Sequence, residues 1–189
     1  MTPRKLEMDL RDRPRVGVMG PSNCSSRAWE LAREAGRLIA RADAILICGG
    51  GTGVMEAAAR GAKEGGGITV GILPGARASE ANVSIDIPIV TDLGNARNMI
   101  NVLTSEAIIA IHGAYGTLSE IALALKCGTP VVGLETWALS SPEGELSSGI
   151  VMAATAGEAV DTALRLIRVR RATREGVKGH RGIGVKGDA

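Results

Sequence analysis

Aromatic residues are nearly absent from this chain of 189 residues, which has no Phe, one Tyr and two Trp. Its core must therefore be aliphatic, and its surface offers few rings on which nucleic-acid bases could stack. Cysteine is also scarce, because Cys24, Cys48 and Cys127 are odd in number and lack the spacing of metal ligands. We expect reduced thiols, no metal site and a cytoplasmic location.

Long apolar runs and a signal peptide are missing as well. No segment is apolar for long enough to cross a bilayer, and the charged residues 1–15 have no apolar centre. The net charge of +2 is uneven: the residues from Arg165 onward carry an excess of six positive charges, which leaves four excess negative charges before them. A mildly acidic body does not favour nucleic acid as a partner.

Apolar residues become too sparse to fold after residue 168, where Gly, Arg and Lys dominate. We therefore predict two parts. Residues 1–168 form one nucleotide- or phosphate-binding domain, and residues 169–189 form a basic Gly/Arg-rich tail that is disordered.

Short apolar strands alternate with helical patterns throughout the body. Strands are predicted at 15–19, 44–48, 68–73, 85–90, 107–111, 130–134 and 150–153. This alternation is typical of an α/β fold, a Rossmann-like open parallel sheet with helices on both faces. Pro88 interrupts the fourth strand, which favours an edge position for it.

Residues 107–132 contain the most informative pattern. A buried strand is followed by a small-residue turn at 112–116 and then by a helix, for which Thr117 is a plausible N-cap. Glu120 follows three residues later, the spacing of a capping box. Strand, glycine turn and helix N-terminus together predict an anion site. Glu120 either serves in that site or only caps the helix.

A second glycine-rich turn, residues 49–53, follows the second strand. It starts like a dinucleotide fingerprint but lacks the third glycine, and no acid ends the next strand to hold a ribose. The glycines allow a ligand to approach the backbone closely, or they only allow strand and helix to pack. Gly20 and Ser22 follow the first strand and belong to the same edge of the sheet.

Three stretches, residues 49–56, 97–98 and 113–120, resemble the LOG superfamily, which is often mislabelled "possible lysine decarboxylase". The resemblance implies one of two activities: release of the base from a nucleoside 5′-monophosphate, or carriage of the molybdenum cofactor. Arg97-Asn98 followed by Asn101 and Leu103 looks closer to the carrier-like branch. None of the five lysines follows a strand where a pyridoxal cofactor could be held, so a decarboxylase is excluded.

By this resemblance, Arg97 and Glu120 occupy the positions of the family's catalytic pair, and Gly116-Thr117 the position of its phosphate site. The hydrolase motif Pro-Gly-Gly-x-Gly-Thr-x-x-Glu is altered, because His112 replaces Pro and Ala114 replaces the second Gly. The hydrolases also have Lys where this chain has Asn98. We therefore favour a binding or carrier protein for a phosphate-bearing nucleotide- or molybdopterin-like ligand. A nucleoside 5′-monophosphate phosphoribohydrolase is the alternative.

The predicted ligand-binding residues are those of the strand-end turns and of the three matching stretches. They are Gly20, Ser22, Gly49, Gly50, Gly51, Thr52, Gly53, Glu56, Arg97, Asn98, Gly113, Ala114, Tyr115, Gly116, Thr117 and Glu120. No cofactor is required, although molybdenum cofactor or a nucleoside monophosphate could be bound. Two alternatives stay open: Arg97 forms only a surface ion pair, and Tyr115 only packs against a neighbour.

The helix at residues 118–125 is apolar almost all round, which indicates burial in a core or against a partner. Proteins that this chain resembles associate through helices near this site. We therefore expect a homodimer or a homotetramer.

Overall fold

The computed structural model describes residues 9–140 and 149–180. Within them, seven strands form one parallel sheet in the order β4-β3-β2-β1-β5-β6-β7. The strands are β1 Arg15–Met19, β2 Ile45–Cys48, β3 Thr69–Leu73, β4 Ile87–Val90, β5 Ala107–Ile111, β6 Val131–Leu134 and β7 Ile150–Ala153. The predicted Rossmann-like parallel sheet is confirmed, and β4, which contains Pro88, is at its edge as expected.

Helices cover both faces of the sheet. They are α1 Ser26–Arg41, α2 Val54–Glu64, α3 Asn98–Thr104, α4 Tyr115–Lys126 and α5 Ala156–His180. Successive side chains of a strand point to opposite faces, so neighbouring residues enter different cores. In β1, Val18 packs with α1, α2 and α5, whereas Met19 packs with α3 and α4.

Small residues compensate for the lack of aromatic ones by letting the helices approach closely. A Cβ atom on Gly36 of α1 would lie 1.9 Å from the backbone oxygen of Ala58 in α2. A Cβ atom on Gly61 of α2 would lie 1.8 Å from the backbone oxygen of Arg33 in α1. Glycine at both positions therefore lets two Ala-rich helices pack backbone to backbone over the sheet.

The last helix corrects the predicted boundary at residue 168. α5 continues to His180, and its arginines contact the body: Arg171 Nε donates to Glu106 Oε1 at 2.7 Å, and Arg170 Nη1 donates to the backbone oxygen of Glu106 at 3.1 Å. The prediction of disorder was wrong for residues 169–180 because it counted only apolar residues, whereas Arg is a good helix former with many hydrogen-bond donors. Residues 181–189 lie outside the described part of the chain.

Among the described residues, no helix combines the length and the apolar character that spanning a membrane requires.

Candidate functional site

A cleft of about 480 Å³ opens at the carboxyl ends of the strands. It lies where the strand order changes direction, between β1 and β5, which is the usual ligand site of an open α/β sheet. Many predicted site residues line it: Gly20, Ser22, Gly49, Gly51, Thr52, Arg97, Asn98, Ala114, Gly116, Thr117 and Glu120. Residues that were not predicted line it as well: Val18, Met19, Pro21, Met55, Leu73, Pro74, Glu80 and Asn95.

Three predicted residues of the second glycine turn and its helix are outside this lining. Gly50 and Gly53 have positive φ angles of 73° and 64°, a conformation that glycine adopts without strain. A Cβ atom on Gly53 would also lie 2.4 Å from the backbone oxygen of Pro21, so glycine lets the two turns touch. Glu56 lies half-buried in the first turn of α2. Gly50 and Gly53 therefore shape the turn, and none of the three residues is part of the cleft lining.

Gly113 and Tyr115, also predicted, lie beside the cleft against Trp137. The rings of Tyr115 and Trp137 stack with centroids 6.4 Å apart, and Tyr115 remains exposed. A Cβ atom on Gly113 would lie 2.4 Å from Trp137 Nε1, so glycine makes room for the indole ring. Tyr115 thus packs against a neighbouring residue, one of the two roles that the sequence left open for it.

Gly49 has a direct connection to the charged part of the site. A Cβ atom on this residue would lie 2.6 Å from both Nη atoms of Arg97. Glycine at the end of β2 therefore leaves the space that the guanidinium group fills. The first glycine of the turn therefore serves the site by leaving room for the Arg97 side chain.

Arg97 and Glu120 meet inside the cleft, although α3 and β5 separate them along the chain. Arg97 Nη1 lies 3.7 Å from Glu120 Oε1, and the two side chains are only 12% and 8% exposed. Arg97 is therefore part of a buried pair and not of a surface ion pair. Asn101, which belongs to the carrier-like stretch but was not predicted as a site residue, donates from Nδ2 to Glu120 Oε1 at 2.8 Å.

α3 contributes two side-chain amides, those of Asn98 and Asn101, to the surroundings of Glu120. Asn98 Nδ2 donates to Ser119 Oγ at 2.8 Å, next to the bond from Asn101 to Glu120. The two asparagines are three residues apart, so they lie on one face of α3. That spacing is the sequence signal that could have identified Asn101 once Asn98 was a candidate.

Burial dominates the electrostatics of the pair. It lowers the pKa of Arg97, and the attraction of Glu120 only partly opposes that shift. It also raises the pKa of Glu120, against the hydrogen bond from Asn101 and the charge of Arg97. Within the described part of the chain, Arg97 Nε and Asn101 Oδ1 are buried and have no hydrogen-bond partner. The site therefore contains polar groups whose hydrogen-bonding capacity the described residues leave unfilled.

The N-terminus of α4 differs from the predicted capping box. The helix begins at Tyr115 with Ala114 as N-cap, and no side chain caps it. Thr117 lies within the first turn, 2% exposed, and its Oγ1 has no hydrogen-bond partner among the described residues. Glu120 falls in the second turn and faces Asn101 and Arg97 instead of the helix amides. The capping prediction was wrong because the N-cap is Ala114, three residues earlier than the predicted Thr117.

This uncapped start has a chemical consequence. The first amides of a helix point outward and carry the positive end of the helix dipole, which favours an anion. In α4 they open into the cleft through Gly116 and Thr117. The helix terminus, the Thr117 hydroxyl and the Arg97 guanidinium therefore offer an anionic group donors from two elements.

The turn before α4 is fixed from outside the cleft. His112 has a positive φ of 52°, and its Nε2 lies 3.0 Å from Glu135 Oε2 at the end of the neighbouring strand. Glu135 also accepts from Arg27 of α1, and Thr136 Oγ1 donates to the backbone oxygen of His112. These contacts anchor the turn and do not reach the cleft lining.

Comparison with known proteins gives a consistent assignment. A family model described as the SLOG cluster4 family matches residues 13–161. The molybdenum cofactor binding protein of the phototrophic bacterium Rippkaea orientalis is 39% identical with a TM-score of 0.75, over 82% of this chain and 98% of that one. The molybdenum cofactor carrier protein of Chlamydomonas reinhardtii is also 39% identical, with a TM-score of 0.72, over 82% and 99%.

A curated relative carries an enzyme name. The cytokinin riboside 5′-monophosphate phosphoribohydrolase of Mycobacterium tuberculosis is 36% identical over 117 residues, which are 57% of this chain and 63% of that protein. Together these matches confirm the predicted resemblance to the LOG superfamily and to its molybdenum-cofactor carrier-like branch.

Proposed function

The chain belongs to the SLOG cluster4 family, and we propose that it is a binding or carrier protein for a small anionic ligand. The ligand joins a phosphate to a ring system of the nucleotide or molybdopterin type. The observation that carries this proposal is the buried Arg97 guanidinium, which has an unpartnered Nε among the described residues and lines the same cleft as an uncapped helix N-terminus.

The phosphate would bind at the start of α4. Backbone amides there lack a side-chain cap, and the hydroxyl of Thr117 lacks a partner in the described part of the chain. Arg97 would add a charge-assisted hydrogen bond, which is stronger than a neutral one. A phosphate has enough acceptor oxygens to satisfy all of these donors at once, which is why we place it at this end of the cleft.

The second candidate is hydrolysis of a nucleoside 5′-monophosphate, and the pairing of Arg97 with Glu120 favours it. A carboxylate beside the ribose could stabilise an oxocarbenium-like transition state or activate water, as in glycoside hydrolysis. Three departures from the hydrolase motif favour the carrier instead. His112 points to Glu135, Ala114 replaces glycine, and Asn98 donates to Ser119 where the hydrolases have a cation.

One experiment separates the two candidates. The purified protein is mixed with AMP, free adenine is followed by chromatography, and bound nucleotide is measured by calorimetry. The carrier predicts binding without release of adenine, and binding that persists or tightens slightly in Glu120→Ala because a nearby negative charge is removed. Release at about one per second or faster, typical of real enzymes, and abolished by Glu120→Ala, would overturn the carrier proposal. Glu64→Ala, at the C-terminal end of α2 and outside the cleft lining, is the matched control.

A ligand carried by the purified protein would identify the natural cargo. Mass spectrometry and the ultraviolet spectrum of the released small molecule distinguish a pterin from a purine. Either result supports the proposed class, and a molecule without phosphate contradicts it.

The homodimer or homotetramer expected from the sequence remains a proposal. α3 exposes Leu103 with 66% of its surface accessible, and the adjacent α4 exposes Ala122 and Lys126. A second copy placed on this surface would cover Leu103. A monomer mass by light scattering at micromolar concentration would contradict it.

A further inference from the structure

An acidic side chain lines the same cleft on the side of β3. Glu80 ends the 3₁₀ turn Ala78–Glu80, which follows β3, whereas the helix that would hold phosphate follows β5. The strand order places β2 and β1 between β3 and β5. Three strand spacings correspond to roughly 14 Å. The cleft therefore has the uncapped start of α4 toward one end, the Arg97 guanidinium beside Gly49 at the end of β2, and the Glu80 carboxylate toward the other end.

The wall next to Glu80 is apolar. Leu73 ends β3, Pro74 follows it, and Met55 of α2 lines the same cleft. Aliphatic side chains and a polarisable thioether suit the face of a flat heterocycle. Along the cleft, hydrogen-bond donors are followed by an apolar wall and then by a carboxylate. This order fits a molecule with phosphate at one end and a ring at the other.

The carboxylate of Glu80 keeps an oxygen available. Arg77 Nε donates to Oε1 at 3.2 Å, and no described residue donates a hydrogen bond to Oε2. A Cβ atom on Gly75 would lie 1.8 Å from Oε2, so glycine leaves the space that this oxygen occupies. Each carboxylate oxygen accepts about two hydrogen bonds, so both oxygens can serve a ligand even with Arg77 in place.

We propose that Glu80 recognises the 2-amino-4-oxopyrimidine edge that pterins and guanine share, an inference that rests on the proposed function. That edge presents a ring N–H and a neighbouring amino group, two parallel donors that match the two oxygens of a carboxylate. Adenine presents an amino group beside a ring nitrogen that accepts, and this acceptor would face a carboxylate oxygen. The cleft therefore selects phosphates of pterins or guanine over phosphates of adenine.

Calorimetry on the full chain with GMP, IMP and AMP tests the assignment, because IMP differs from GMP only by the missing 2-amino group. GMP is expected to bind at least about tenfold more tightly than IMP or AMP, the discrimination of one good bidentate contact. Glu80→Gln replaces one acceptor oxygen by a donor and should remove most of this preference while AMP affinity is kept. Glu64→Gln is the matched control, an acid outside the cleft lining.

The outcomes separate the two proposals. Equal affinities of the three nucleotides in the natural protein, or a preference for GMP that survives Glu80→Gln, overturn the role of Glu80 and leave the phosphate site intact. If none of the three binds, the proposed function fails and the role of Glu80 fails with it. Glu80 is exposed, so its substitution should not affect folding, and a thermal melt of the variant verifies this.

Discussion

The guanidinium of Arg97 lies 3.7 Å from the carboxylate of Glu120, and both side chains are largely withdrawn from water. At that distance the two groups attract each other without a direct hydrogen bond. A buried ion pair compensates for lost hydration only when its geometry is good and its remaining hydrogen-bond positions are filled. Here Arg97 Nε has no partner among the described residues. An anionic ligand that accepts from Arg97 would improve this arrangement.

Substitution of Arg97 tests directly whether an anionic ligand accepts a hydrogen bond from this side chain. Arg97→Ala should weaken binding of GMP by about 1.5–3 kcal/mol, the usual contribution of a hydrogen bond to a charged group. This corresponds to roughly a 10- to 150-fold higher dissociation constant by calorimetry. Arg60→Ala, which removes an exposed arginine of α2, should leave binding unchanged. Unaltered affinity of Arg97→Ala would place the anion elsewhere.

Burial raises the pKa of Glu120. From this we predict how the stability of the fold depends on pH. A carboxyl group whose pKa is higher in the folded state favours folding when it is protonated, and that contribution is lost as the pH rises through the raised pKa. Between pH 7 and about 4.3, the ordinary value for glutamate, the natural protein should gain stability relative to Glu120→Gln. Melting temperatures of both proteins at several pH values measure the difference.

Glu106 provides a control of opposite sign. Burial alone would raise the pKa of Glu106, but hydrogen bonds from Arg171 and from the Arg15 amide outweigh burial and lower it. Its contribution to stability is therefore present above its ordinary pKa and is lost as the pH falls through the lowered one. The difference between the natural protein and Glu106→Gln should shrink toward acid pH. The same trend for both variants would contradict the opposite environments of the two carboxyl groups.

Gly49 is expected to act on binding through Arg97. A methyl group at this position would lie 2.6 Å from the Nη atoms and would displace the guanidinium. Gly49→Ala should therefore weaken GMP binding, and in combination with Arg97→Ala it should add little, since both changes affect the same group. Gly157→Ala is the control, because the nearest atom to its added methyl group is 3.9 Å away. Additive losses in the double variant would show an independent effect of Gly49.

The strands were predictable from sequence, because an apolar run between glycine-rich turns leaves few alternatives. β1 and β5 have the bounds that their runs indicated, 15–19 and 107–111. The start of α4 was not predictable, since its first residue, Tyr115, contacts Trp137, which is distant in sequence. Local capping patterns cannot report such a contact.

The candidate site was only partly predictable for the same reason. Motif positions identified Arg97 and Glu120, but the hydrogen bond from Asn101 depends on how α3 packs on α4. Glu80 gave no signal, because its short 3₁₀ turn has no hydrophobic periodicity and reaches the cleft only through the fold. The charged residues of α5 also gave no signal in the sequence, because Glu106, which they contact, is far away along the chain.

The C-terminal part of α5 gives the last prediction. Arg171 donates to both carboxylate oxygens of Glu106, at 2.7 and 2.6 Å, and to the backbone oxygen of Asp12 at 2.7 Å. It therefore ties α5 to the segment before β1 and to the start of β5. Removal of residues 169–189 should destabilise the fold, whereas removal of only residues 175–189 keeps these contacts and should have little effect.

The expected loss of stability follows from the exposure of the Arg171 side chain. Its side chain is 35% exposed, so solvent screening reduces the contribution of the ion pair, and we expect a loss of about 1–3 kcal/mol for the longer deletion. For a protein of this size, that corresponds to roughly 2–12 °C in melting temperature. Arg171→Ala should reproduce a large part of the shift, because it removes the same contacts without shortening the chain. Equal melting temperatures for the two deletions would mean that residues 169–174 do not stabilise the fold.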